Sequence, residues 1–158
     1  MVTSTKNSNL PFVEKYRPVK LSDVLSHEDS IITLKKFLNC KNVPHLMFYG
    51  PSGTGKTSTI EAFVYELYGG YENVDDMVMK INASEERGID TIRTKVKEFV
   101  STKPLTKTKI KYKFVILDEA DAMTGDAQAM LKHIIEKYTY NARFCLICNC
   151  IKKFSTFI

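Results

Sequence analysis

Eight residues restrict this chain more than any others: Gly50-Pro-Ser-Gly-Thr-Gly55-Lys56-Thr57 satisfies the spacing G-x-x-x-x-G-K-[ST]. The apolar run Leu46–Tyr49 precedes them. Ile60, Phe63, Val64, Leu67 and Tyr68 follow at the i, i+3, i+4, i+7, i+8 spacing of a buried helical stripe. A glycine-rich turn between a strand and a helix can aim backbone N–H groups inward and set the positive end of the helix at the same point. That combination suits phosphate oxygens. It assigns a cradle to Gly50, Pro51, Ser52, Gly53, Thr54, Gly55, Lys56 and Thr57, with Lys56 reaching β- and γ-phosphates and Thr57 offering its hydroxyl to Mg2+.

The rest of the chain alternates two periods. Ile31, Leu34 and Leu38 share one helical face, and Ile89, Ile92, Val96 and Phe99 share another. A further helix is expected over residues 125–138, started by Thr124, with Ala127, Met130, Leu131, Ile134, Ile135 and Tyr138 on its buried side. Between the helices lie the short apolar runs Leu46–Tyr49, Met77–Ile81, Phe114–Leu117 and Phe144–Cys148, which read as buried parallel strands. The order predicts an α/β fold, a parallel sheet with helices on both faces. With 158 residues, one compact domain over residues 10–150 is expected, after a polar tail at 1–9 and before an irregular end at 151–158. No apolar run approaches the roughly 18–20 residues that span a bilayer, and Met1–Asn9 lacks the apolar centre of an export signal. A soluble protein without a membrane partner is the expectation.

Two features could mislead. Lys103, Lys107, Lys109, Lys111 and Lys113 crowd around Pro104 in a chain of net charge +5, and they read as a solvated loop with a basic surface. Cys145-x-x-Cys148-x-Cys150 has the look of metal spacing, yet strand alternation sends its members to both faces and no second pair exists. Reduced thiols, Cys40 included, are expected.

A divalent cation at Thr57 also needs a carboxylate from a neighbouring strand end. Phe114-Val-Ile-Leu-Asp118-Glu119 supplies one: Asp118 for the metal, with Glu119 as the base that polarises an attacking water. Asn149, ending the fourth strand, can hydrogen-bond a γ-phosphate or that water. Asp118-Glu-Ala-Asp121 spells the tetrapeptide of the DEAD-box helicases, but such a core needs a second domain that 158 residues cannot hold.

With these motifs placed, the chain resembles the small subunits of replication factor C, the sliding-clamp loader of the AAA+ group of P-loop NTPases. The resemblance rests on Pro11-Phe-Val-Glu-Lys-Tyr-Arg-Pro18, the loop Phe48–Ser58, Asn82-Ala-Ser-Glu-Glu-Arg-Gly-Ile89 and Leu117-Asp-Glu-Ala-Asp-Ala-Met-Thr124, in that order. Ser26-His-Glu-Asp, Gly88–Arg93, Gly125-Asp-Ala-Gln and Arg143–Asn149 look most like the branch called subunit five in animals and three in fungi. Ser52, Glu85, Lys132-His133 and Cys150 depart from that family's usual residues without touching the phosphate chemistry.

The resemblance implies an AAA+ core with four of the usual five strands, ATP and Mg2+ as ligands, and a nuclear location. It places Val13, Tyr16 and Arg17 near the adenine, Arg87 and Arg93 along the DNA backbone, and the end of their helix, near Phe99 and Val100, towards the clamp. It implies a hetero-pentamer with the other subunits, which uses ATP to load the sliding clamp, proliferating cell nuclear antigen, onto primer-template DNA. A scaffold whose own turnover is dispensable, or another AAA+ remodelling ATPase, are the alternatives. The family's Ser-Arg-Cys finger segment, last strand, lid and collar have no counterpart after Cys150. Slow turnover alone, and an exposed strand edge prone to association, are therefore expected.

Overall fold

The computed structural model describes residues 17–25, 27–70, 74–85, 89–102 and 110–153, with the backbone alone for residues 89–92 and 153. Four strands, β1 (Leu46–Tyr49), β2 (Val78–Asn82), β3 (Lys113–Asp118) and β4 (Ala142–Cys148), alternate with four helices. The helices are α1 (Glu28–Cys40), α2 (Lys56–Tyr68), α3 (Ile89–Ser101) and α4 (Gly125–Tyr138). All strand pairs are parallel, in the order β1-β4-β3-β2. Because β1 pairs with β4 and β4 with β3, the carboxyl ends of the first, third and fourth strands share one rim, with Tyr49 opposite Cys148 and Leu117 opposite Leu146. Ligand crevices of open α/β sheets lie along such a rim.

Strand alternation divides the core in two. Phe114, Ile116, Cys145 and Ile147 point to the side covered by α1 and α2, where Ile31, Leu34, Ile60, Phe63, Val64 and Leu67 are buried. Val115, Leu117, Phe144, Leu146 and Cys148 point to the side of α3 and α4, against Val96, Val100, Ala127, Leu131 and Ile134. All five residues of the stripe predicted for α2 are buried, and α4 spans the predicted residues, with the Thr124 hydroxyl accepting from Ala127 N at 3.3 Å as its N-cap. Met130, Ile135 and Tyr138 of the predicted face are only half-buried. Cys145 and Cys148 do fall on opposite faces, and burial raises both thiol pKa values, which keeps them protonated and unreactive.

Three expectations need correction. Met77 belongs to a helical turn, Val74–Met77, and β2 begins one residue later and runs to Asn82. Lys113 is no loop lysine: it opens β3, is 5% exposed, and its Nζ donates to Phe99 O at 2.9 Å and to the Thr102 hydroxyl. It also stands 4.5 Å over the Phe99 ring. Burial lowers its pKa. Lys111 is exposed as expected, while Lys103, Lys107 and Lys109 lie outside the described residues.

The end of α3 offers no surface at Val100, which is fully buried, and Phe99 is half-covered beneath Lys113. Val96, Phe99 and Val100 stand at i, i+3 and i+4, so this face packs inward to the last turn. Among the described residues, no helix is long and apolar enough to cross a membrane, and β1 pairs only with β4, leaving Tyr49 64% exposed at the sheet edge.

Candidate nucleotide site

The turn after β1 is held by backbone conformations that side-chain-bearing residues rarely adopt. Gly53 has φ +78° and Gly55 has φ +82°, and a Cβ built on either would meet nothing within 4 Å. The glycines are therefore required by backbone torsion and by the open space they leave, and not by crowding from the protein. Gly55 is also the N-cap of α2, so it has no side chain to satisfy the first N–H groups of that helix. An open cradle with unfilled donors at a helix N-terminus fits phosphate oxygens.

Lys56 lies across this cradle. Its Nζ donates to Gly50 O and Pro51 O, both at 2.8 Å, and to Asn149 Oδ1 at 3.1 Å. These acceptors are neutral, so a phosphate would replace them with stronger charge-assisted bonds. Thr54 fastens the loop on itself through a hydroxyl bond to Pro51 O at 2.9 Å. Ser52 and Gly53 line the same cavity, about 330 Å³ in volume, with Lys56, Thr57, Asp118 and Asn149.

Thr57 Oγ1 donates to Asp118 Oδ2 at 2.8 Å, joining the first turn of α2 to the end of β3. The other carboxylate oxygen of Asp118 accepts from Glu119 N at 2.9 Å. A hydroxyl and a carboxylate are hard oxygen donors of the kind Mg2+ takes alongside phosphate and water. Glu119 itself sits at φ +50°, ψ +37°, a left-handed conformation that costs a non-glycine residue about 1–2 kcal/mol. The turn Ala120–Ala122 holds it there through Ala122 N bonded to Glu119 O at 2.8 Å. The kink exposes Glu119 on the cavity wall, directly after the buried run of β3.

The structure thus gathers Lys56, Thr57, Asp118, Glu119 and Asn149, which the sequence placed up to 93 residues apart. It adds Asp121, whose Oδ1 accepts from Asn149 N at 3.3 Å and fixes the end of β4. A third acid three residues after Asp118, on the same turn, was the available signal. Arg17 is elsewhere: it makes an ion pair with Glu61 of α2 at 2.7 Å. Arg93 is exposed on α3. Val13, Tyr16 and Arg87 lie outside the described residues.

Over 148 residues the chain is 54% identical to replication factor C subunit 3 of Schizosaccharomyces pombe, covering 94% of this chain and 42% of that one. It is likewise 54% identical to human replication factor C subunit 5, over 95% of this chain and 43% of that one. The chain spans about two fifths of the length of these curated relatives. Among solved structures, a Thermotoga maritima RuvB variant superposes with a TM-score of 0.66 over 89% of this chain and 44% of that chain, at 16% identity. A Thermotoga maritima protein related to the DNA polymerase III gamma subunit gives 0.58 at 20% identity, over 79% of this chain and 42% of that one. At such identities the likeness is one of fold. Residues 46–156, which begin at β1, match the ATPase family associated with various cellular activities, and the chain belongs to that AAA family.

Proposed function

We propose that this chain is the ATP-binding and ATP-hydrolysing part of a clamp-loader small subunit of the replication factor C type. The observation that carries the reading is the Thr57–Asp118 hydrogen bond at 2.8 Å, which brings a hydroxyl and a carboxylate together beside a lysine on the phosphate loop. In this reading the N–H groups of residues 50–57 and Lys56 bind the triphosphate, and Thr57 with Asp118 binds Mg2+. The ion would neutralise charge developing on the phosphate oxygens. Glu119 takes the proton of the attacking water, and Asn149, tethered to Lys56 and Asp121, orients that water or the γ-phosphate. Val13, Tyr16 and Arg17 flank the adenine.

Relatives named as replication factor C subunits support a multi-subunit assembly, and the resemblance set out above extends the proposal to its partners: the other subunits of a hetero-pentameric loader, the sliding clamp, and primer-template DNA, in the nucleus. Arg87 and Arg93 would follow DNA phosphates. A neighbour's arginine would be needed for fast turnover, worth about 10³–10⁵ in rate.

Substituting Glu119→Gln in a reconstituted complete loader separates catalysis from scaffolding. ATP binding should persist while clamp loading falls. Loading at the unaltered rate would mean that turnover by this subunit is dispensable and that it serves as a nucleotide-responsive scaffold.

A further inference from the structure

Three acids stand close together at the end of β3, and only two of them, Asp118 and Glu119, line the cavity. The third, Asp121, turns its carboxylate to the backbone of β4, where Oδ1 accepts from Asn149 N at 3.3 Å. The sheet does not reach that N–H. The register of β4 with β3 ends at Leu146 and with β1 at Cys148, so Asn149 lies past the paired residues on both sides. The carboxylate itself stands on a closed turn. Ala122 N bonds to Glu119 O at 2.8 Å, Met123 N bonds to Ala120 O at 3.2 Å, and Ala120 is fully buried.

The side chain of Asn149 is not bound by that restraint. Its Oδ1 accepts from Lys56 Nζ at 3.1 Å, one hydrogen bond away from the ammonium that meets the terminal phosphate in the reading above. With Oδ1 on the ammonium, the N–H donors of the amide are what a phosphate oxygen would take. We propose that Asp121 is a positioning residue for recognition of the third phosphate: by holding the Asn149 backbone it keeps the Asn149 amide where a γ-phosphate arrives at Lys56. This rests on the ATP-site reading and adds to it a group that touches no ligand atom. Asp121 acts through Asn149. A carboxylate near bound phosphates repels them, so by charge alone its removal should tighten nucleotide binding. A loss of affinity on its removal therefore reports position.

Mg-ATP and Mg-ADP differ by that phosphate, and each is titrated calorimetrically into the 158-residue chain. Asp121→Ala should weaken ATP binding about 5–10-fold, part of the worth of a hydrogen bond to a charged group, and leave ADP within about twofold. Asp121→Asn keeps an acceptor oxygen without the charge, and should bind ATP within about twofold of the unaltered chain. Asn149→Ala should reproduce the ATP loss, and the double variant Asp121→Ala, Asn149→Ala should add little to it. Unchanged or raised ATP affinity in Asp121→Ala would overturn the inference, as would an equal loss for ADP, an equal loss in Asp121→Asn, or full additivity in the double variant. A collapse of the Asp121→Ala fold would assign the bond to stability and overturn it as well. An ATP loss in Asn149→Ala that Asp121→Ala does not share would sink this inference alone. Failure of the unaltered chain to bind either nucleotide would overturn the ATP-site reading and this inference with it.

Discussion

The two ends of the sheet use the same chemistry to opposite purposes. At the carboxyl rim Lys56 donates to carbonyls from the first turn of α2, the positive end of a helix, where a cation is electrostatically misplaced. At the amino rim Lys113 donates to Phe99 O in the last turns of α3, and Arg143 donates to Thr139 O just past the end of α4. Those are the negative ends, where a cation is welcome. Arg143 also reaches Val43 O at 2.5 Å and stacks 4.7 Å over the Tyr112 ring, whose backbone carbonyl accepts from the Tyr68 hydroxyl at 2.7 Å. A cation set with the helix dipole, buried as Lys113 is or half-buried as Arg143 is, is structural. A cation set against it, over an open cradle, stores an affinity for anions.

The sharpest way to break this contrast is at Lys113. Lys113→Ala strips charged bonds from the end of α3 inside the core, and we expect a loss of about 3 kcal/mol in a denaturant titration. ATP affinity should stay within about twofold; a large loss of affinity with intact stability would erase the distinction. Smaller is the effect of Gly55→Ala at φ +82°. Backbone strain alone should cost about 1–2 kcal/mol, since the new methyl meets no protein atom, while ATP binding weakens because the methyl enters the cradle. ATP affinity left unaltered by Gly55→Ala would blunt the comparison.

The smallest effect should come from pH. His45 Nδ1 accepts from Phe144 N at 3.2 Å, and burial first, then the Arg143 charge, lowers its pKa below 6.5. The folded form therefore prefers the neutral ring. Above about pH 6.5 the ring is neutral in both states and the contribution is complete. As pH falls below that value the unfolded chain takes up the proton first, and the contribution is lost through the lower folded pKa. Because His45 is only partly covered, melting of the unaltered chain should drop relative to His45→Gln by no more than about 2 °C between pH 7.5 and 5.5. An opposite sign, with the variant falling faster, would contradict the assigned hydrogen bond.

Legibility followed how local the determining physics is. The α2 stripe could be read because all five positions of the helical period, Ile60, Phe63, Val64, Leu67 and Tyr68, are buried. The phosphate loop could be read because its torsions need glycine at fixed spacing. Lys113 could not, because a lysine run gives no sign of which member lies on a strand beneath a helix end. Val100 looked like an exposed end only because the last turn of α3 was not known to pack against the sheet. The Arg17–Glu61–Lys80 cluster joins residues 44 and 19 positions apart, and no single-sequence period reports such a pairing. Asp121 was visible as a residue, but its bond to Asn149 N depends on how the turn after Glu119 folds back.

The central claim is that the carboxyl rim binds a nucleotide at no structural necessity to the fold. Titrating Mg-ATP into the Lys56→Ala chain, with its melting temperature measured in the same buffer, tests it directly. Affinity should fall about 10–100-fold, the worth of charged bonds to phosphate, while the melting midpoint stays within about 2 °C. Unaltered affinity, or a loss of binding matched by a collapse in stability, would contradict it.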